Sequence, residues 1–143
     1  MKVGVILSAA LAVLLCACSC SKGEAELFIG TMVVSGTVCA DTGEALEDVT
    51  VTLMGFGDTD VNMEHKALDT QSARTDGAGR YKITIIGPQA QKYFKIVAHD
   101  DADSRKNDAY RSSLVLLYIS NGEAYHPRSR TYELKNIDFY LTK

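Results

Sequence analysis

No run of basic residues stands anywhere in this 143-residue chain. Lys92, Lys95, Arg105, Lys106, Arg128 and Arg130 are scattered and the formal net charge is −3. The sequence therefore offers no electrostatic footprint for a nucleic-acid backbone. A disulfide framework is also missing. Three of the four cysteines, Cys16, Cys18 and Cys20, crowd into the front of the chain and only Cys39 follows, so a buried core must hold the remainder together. Cys39 alternates with Val38 in a strand-like stretch and is expected to be a small buried hydrophobe. No apolar run reaches the roughly 20 residues of a membrane-spanning helix, and no amphipathic helical period is visible after the first segment. Gly-x-Ser-x-Gly, His-Glu-x-x-His and phosphate-loop patterns are absent, which leaves no recognisable nucleophile, catalytic zinc or nucleotide site. His65, His99 and His126 are far apart and in no zinc spacing. The expectation is a non-enzymatic protein without a cofactor.

What is present begins at the N-terminus. Lys2 supplies a positive charge, and Val3 to Leu15 runs without any charge, about the length of a signal-peptide core, roughly 7–15 residues. Ser19, Ser21 and Lys22 end the run. Leu15-Cys16-Ala17-Cys18 resembles the bacterial lipobox: an aliphatic residue, a variable one, a small one, then the cysteine to be lipidated. Cys16 departs from the Ser, Ala or Thr usual in the second place. Cys20 fits less well, with Ala17 where the aliphatic residue belongs. The resemblance implies a lipoprotein signal peptide over 1–17, lipidation at Cys18 and a lipidated tether over 18–30. One acyl chain binds a membrane only marginally, whereas two or three hold stably. The acidic Ser21-Lys22-Gly23-Glu24-Ala25-Glu26 is similar to the export signal of Bacteroidota surface lipoproteins. An outer-membrane location follows from these resemblances, with the periplasmic and cell-surface faces both open.

The remaining residues, 31–143, match the size of one domain. Met32 to Cys39 is rich in β-branched residues and reads as a strand. Asp41-Thr42-Gly43-Glu44 breaks it. Val49, Val51 and Leu53 then alternate with Thr50 and Thr52, so one face is apolar. Gly55 to Lys66 reads as a long polar loop and Ala67 to Thr75 as a weakly patterned strand. Asp76-Gly77-Ala78-Gly79 is the clearest turn. Tyr81, Ile83 and Ile85 alternate with polar residues after it, and Gly87-Pro88 ends that strand. Tyr93 to Ala98 is another strand, His99 to Ala109 an acidic loop, and Ser113 to Ile119 is apolar enough for a central strand. Asn121-Gly122 turns the chain, a polar loop runs to Arg130, and Ile137 to Leu141 closes the pattern. The fold class expected is all-β: a β-sandwich of about seven strands.

Three phrases carry a second resemblance: Ser35-Gly36-Thr37-Val38, then Thr42-Gly43-Glu44-Ala45-Leu46-Glu47-Asp48-Val49-Thr50-Val51, then Thr75-Asp76-Gly77-Ala78-Gly79-Arg80-Tyr81. Together they resemble the carboxypeptidase regulatory-like domain, a transthyretin-like (Ig-like) sandwich found in Bacteroidota envelope proteins. Ala45 stands where that family usually has proline. The resemblance covers about residues 31–86 and implies a sandwich with hairpins at Gly43 and at Asp76 to Gly79, with Leu46 plugging one end. The family is usually a structural or docking module. His99-Asp100-Asp101-Ala102-Asp103, with Asn107-Asp108, is similar to the acidic stretch of small lipoproteins encoded beside radical SAM enzymes. That resemblance implies a further role, as the substrate of such a modifying enzyme.

Acidic groups supply the candidate metal ligands. Asp100, Asp101, Asp103 and Asp108 form one candidate calcium cluster, where Arg105 and Lys106 compete for the carboxylates. Asp58, Asp60, Asn62 and Glu64 alternate as oxygen ligands do in calcium loops, but Met63 and Asp69 occupy the places where an EF-hand needs Gly and Glu. Tyr110-Arg111-Ser112-Ser113 is similar to the closing motif of transthyretin-like hydroxyisourate hydrolases; here it is internal, with Ser112 replacing Gly. Tyr118, Tyr125, Tyr132 and Tyr140, with His126 and Arg128, are candidates for an exposed aromatic patch. The function expected is a membrane-anchored docking module whose partner is an envelope protein or a glycan. The alternative is a metal-dependent or hydrolytic enzyme on the same fold, which requires His99 or His126 to meet tyrosine or carboxylate groups in a cleft.

Overall fold

The computed structural model describes residues 30–57, 60–87, 91–119 and 124–143. The expected signal peptide, Cys18, Cys20 and the tether up to Ile29 lie outside the described residues, as do Asp58, Pro88 and the Asn121-Gly122 turn. The described chain is all-β. Its strands are β1 (Thr31–Ala40), β2 (Thr50–Gly57), β3 (Asp69–Arg74), β4 (Arg80–Ile86), β5 (Gln91–His99), β6 (Ser113–Tyr118), β7 (Tyr125–His126), β8 (Thr131–Leu134) and β9 (Phe139–Leu141). The helical element among the described residues is a single 3-10 turn, Asp103–Arg105. No helix among the described residues is long and apolar enough to cross a membrane.

Two sheets pack as a sandwich. One runs β4-β1-β8-β7, with β9 beside the second half of β1; the other runs β3-β2-β5-β6. Pairing is antiparallel except where β8 and β9 run parallel to β1. Period-2 alternation builds the core. Met32, Val34, Val38 and Ala40 of β1 meet Val51 and Leu53 of β2, Ile83 and Ile85 of β4, Phe94 and Ile96 of β5, and Phe139 and Leu141 of β9, all buried. Each Val, Leu, Ile, Phe or Met side chain among them contributes roughly 1.5–3 kcal/mol on burial.

Several expectations change. Nine strands are present rather than about seven, because β7 and β8 form within and just beyond the stretch read as a polar loop. They are short; β7 finds strand geometry by pairing with β8, and β8 by pairing with β7 and with β1. β2 runs three residues past Met54, into residues expected to be loop. The turn at Gly43 is a short hairpin, in which the Ala40 N–H donates to the Glu44 carbonyl at 2.7 Å, the Leu46 N–H to the Val38 carbonyl at 2.9 Å, and Cys39 bridges Ala45. Both this turn and the one at Asp76 to Gly79 then lead from one sheet to the other, since β1 and β4 share one sheet while β2 and β3 share the other. Gly43 and Gly79 take φ of +90° and +72° there. Leu46 is buried, and Thr75 ties the crossing together: its hydroxyl donates to the Leu46 carbonyl at 2.6 Å and accepts from the Val49 N–H at 2.9 Å. Cys39 is not in the core. The alternation that buries Val38 turns Cys39 outward, where it is partly exposed and free.

Between β8 and β9 the chain leaves the ladder and presses its backbone onto Gly36. A Cβ at Gly36 would lie 2.0 Å from the Ile137 carbonyl oxygen. The bulge is sealed by Tyr81, whose hydroxyl donates to that oxygen at 2.7 Å, and by Asp138, which accepts from the Thr37 N–H at 2.7 Å and the Thr37 hydroxyl at 2.8 Å. Burial, and then the charge of Asp138, push the Tyr81 phenol upward, so it stays a donor.

Candidate functional site

The outer face of the second sheet changes character strand by strand. Cross-strand register places Thr70, Ser72 and Arg74 of β3 beside Met54, Thr52 and Thr50 of β2. These are followed by Lys95, Val97 and His99 of β5, with Tyr93 beyond them. Leu116 and Leu114 of β6 lie next to Lys95 and Val97, and Tyr118 packs against Tyr93 with ring centroids 5.0 Å apart and planes tilted by 39°. The face thus runs from polar at β3 to apolar at β6. Leu114, Leu116 and Tyr118 are 56%, 53% and 56% exposed. Other exposed apolar residues, such as Ile86 on β4 and Tyr140 on β9, lie on other strands, and isolated ones need no special account.

β6 is also an edge. Its one strand neighbour among the described residues is β5. Ile119 donates its N–H to the Lys92 carbonyl at 2.8 Å, continuing the register that pairs Tyr118 with Tyr93. Bonding alternates along an antiparallel ladder, so Val115 and Leu117 also bond toward β5, while the N–H and C=O groups of Leu114, Leu116 and Tyr118 point away from it. Edges are normally blunted by charge, proline or bulges. β3 carries Asp69 and Arg74, and β4 carries Arg80 and Lys82; Ser113–Tyr118 has no charge and no proline. The sequence reading of this segment as a central strand is thereby corrected: it is apolar on both faces but covered on only one. That mismatch was the available signal, because an edge strand of an antiparallel sheet ordinarily shows a polar outer face.

The acidic candidates do not converge. Asp100 is buried and accepts from Arg105 Nε at 3.0 Å, Arg105 Nη2 at 2.9 Å and the Tyr110 N–H at 3.0 Å. Burial would raise its pKa, but the Arg105 and Tyr110 bonds outweigh that and hold it below the ordinary carboxylate value. Arg105 also donates to the Glu47 carbonyl at 2.6 Å, fastening the loop to the β1–β2 crossing. Asp101 accepts from the Thr50 hydroxyl at 2.9 Å and lies 3.6 Å from Arg74, which also pairs with Asp48 at 2.6 Å. Asp103 starts the exposed 3-10 turn, and Asp108 pairs with Lys143. Among the described residues no three His, Cys, Asp or Glu side chains group as metal ligands do. Asp60 organises its own loop instead, accepting from the Glu64 and His65 N–H groups at 3.1 Å each and pairing with His65 Nδ1 at 3.0 Å.

The histidines separate as well. His99 Nδ1 lies 2.7 Å from the Ser112 hydroxyl, on an exposed surface. Among the described residues no carboxylate orients that ring, and the bond closes the base of the 100–112 loop. His126 lies 3.7 Å from Glu133 and is itself mostly exposed. Within the Tyr110–Ser113 segment, Tyr110 packs against the core beneath Lys143, and the Arg111 N–H donates to the Thr142 carbonyl at 2.7 Å. The tyrosines form no common patch: Tyr132 is in the core, while Tyr118 and Tyr140 lie on the outer faces of opposite sheets. A cavity of about 290 Å³ opens at the Gly36 bulge, lined by Ser35, Thr37, Arg80, Asn136 and Asp138 among others. Asp138 is spent on Thr37, and Arg80 lies 3.3 Å from Asp76.

No protein-family model matches the chain, and no curated protein is significantly similar to it. Solved structures are similar in shape. Chlorocatechol 1,2-dioxygenase from Pseudomonas putida superposes with a TM-score of 0.52 at 13% identity, covering 84% of this chain and 63% of that one. The corresponding values for 3-chlorocatechol 1,2-dioxygenase from Rhodococcus opacus 1CP are 0.50, 18%, 80% and 60%. For the major plantain pollen allergen Pla l 1 they are 0.51, 15%, 78% and 93%. The likeness is one of fold. The same sandwich is found in enzymes and in a pollen allergen, and the chain spans less than two thirds of the length of the dioxygenases.

Proposed function

We propose that this chain is a lipid-anchored envelope module without catalysis, which docks a partner through the outer face of β5 and β6. The observation that carries the docking reading is the row Leu114, Leu116 and Tyr118, apolar, more than half exposed and on a strand edge. Contiguous apolar surface beside polar strands is the usual mark of an interaction site. Anchoring rests on the lipobox resemblance. Acyl chains on Cys18 hold the protein at the outer membrane, on its periplasmic or cell-surface face, and the residues from Cys18 to Gly30 reach at most roughly 40 Å when extended. Confinement to that layer raises the effective concentration of the module near partners in the same membrane. Within this reading the domain is of the carboxypeptidase regulatory-like, transthyretin-like kind, and the partner is another envelope protein or a glycan.

The test separates anchor from face. Cys18→Ser should move the protein from the membrane to the soluble fraction, or leave it unprocessed, while its circular dichroism stays that of a β-protein. Leu114→Ser with Leu116→Ser should leave membrane retention intact and abolish recovery of the partner from intact cells. Unchanged retention of the Cys18→Ser protein would reject the anchor, and unchanged partner recovery by the double variant would reject the face.

A further inference from the structure

The edge groups of β6 have a pattern that a second copy of the same strand completes. We propose that the partner of this face is another copy of this chain, with the two β6 strands antiparallel about a two-fold axis at Leu116; the proposal rests on the docking reading of the face given above. In that register Leu116 faces its own counterpart and Leu114 faces Tyr118 of the other copy. These three are the residues whose N–H and C=O groups point away from β5. Each opposed pair is therefore a hydrogen-bonded pair exchanging two bonds, and the three pairs satisfy every outward-pointing group of the strand. A register shifted by one residue would set outward groups against inward ones and leave the edge unmet.

The side chains agree with the backbone. Across the joined sheets the outer face would read Tyr93, Tyr118, Leu114, Val97 in one row, the reverse in its symmetry mate, and Lys95, Leu116, Leu116, Lys95 between them. Six apolar side chains from the two β6 strands occupy the middle, and aromatic and aliphatic cross-strand pairs of this kind each add roughly 0.2–1 kcal/mol. The two Lys95 residues sit at the outer ends with backbones three strand spacings or about 14 Å apart, beyond the screening length of about 8 Å at physiological salt, and each ammonium group is held by its own Phe56 ring and Met63 carbonyl. No charged group within Ser113–Tyr118 opposes the pairing. The free edges of β3 and β4 show the contrast, since self-pairing there would bring Arg74 or Lys82 into the seam. The contact is small for a protein interface, which suits two molecules held in one membrane plane.

The experiment uses the full chain expressed in its host envelope. In a hydrogen-bonded antiparallel pair the facing Cα atoms are about 5.5 Å apart, within the range a disulfide spans. The Leu116→Cys chain should run on a non-reducing gel at twice its mass, and Thr70→Cys, on the β3 edge, should not. Unsubstituted protein carries Cys20 and Cys39 and sets the background. In the membrane, Leu114→Lys added to Leu116→Cys should abolish the crosslink while the circular dichroism stays that of a β-protein. A crosslink to a second copy that survives Leu114→Lys overturns the proposal. A Leu116→Cys crosslink to a different protein overturns the two-fold pairing but leaves the docking reading standing. No crosslink of either kind overturns both.

Discussion

Replacing Asp100 with alanine removes the group that organises the 100–112 loop. Its side chain is fully buried and accepts hydrogen bonds from Arg105 and from the Tyr110 N–H, with the Ala102 N–H at 3.4 Å. Removing one partner of a buried ion pair costs about 3–5 kcal/mol. The Arg105 side chain is 22% exposed, so it can turn toward water, which places the expected loss near the lower bound, about 3 kcal/mol. The Tyr110 amide loses its acceptor in the same step, and Arg105 loses its hold on the Glu47 carbonyl. For a domain of this size about 3 kcal/mol lowers Tm by roughly 10 °C or more. Asp101→Ala, one residue along but partly exposed and bonded to Thr50, should stay within about 1 kcal/mol. The assay is urea denaturation followed by circular dichroism, comparing midpoints at equal slope. Because the folded pKa of Asp100 lies below its ordinary value of 3.8, its contribution is complete above that value and is lost as pH falls through the lower folded one. The difference between wild type and Asp100→Ala should therefore hold from pH 5 to 8 and shrink in acid. Equal effects from the two variants, or a loss under about 1 kcal/mol for Asp100→Ala, would refute the reasoning.

Gly36→Ala should cost about 3 kcal/mol, the upper end of the overpacking range, because the new Cβ meets backbone at Ile137 that cannot rotate away; hydrogen exchange at the Thr37 and Ile137 amides should speed up, and a stability equal to wild type would show the bulge to be compliant. His65 should titrate above its ordinary value of 6.5, because the Asp60 hydrogen bond and charge favour its protonated form. Asp60→Asn should bring the His65 titration back down when followed by NMR. The pairing is present below pH 6.5 and is lost as pH rises through the elevated value; titration unchanged by Asp60→Asn would refute the link.

Residue composition and alternation by themselves determined most of the strands. Val49 to Leu53 and Tyr81 to Ile85 carry a period of two that no other regular structure accommodates, so their inward residues were legible without coordinates. Met32 to Cys39 was legible as a strand from its β-branched content, but apolar residues stand on both of its faces, so alternation did not say which face Cys39 takes. Asp76 and Gly79 also announced a turn, because one side chain and one positive φ suffice to make it. What alternation does not encode is which strand lies next to which. The Gly43 and Asp76 turns each lead from one sheet to the other, and β7 and β8 form because they pair with each other and β8 with β1. The sequence placed four aspartates close together, but backbone direction sends Asp100 inward, Asp101 toward β2 and Asp108 toward the C-terminus, so proximity along the chain did not become a site. Ser113–Tyr118 shows the division most clearly. Its composition marked a strand apolar on both faces, and only the packing of the two sheets decided that one of those faces meets water, because burial is a property of neighbours and not of the strand itself.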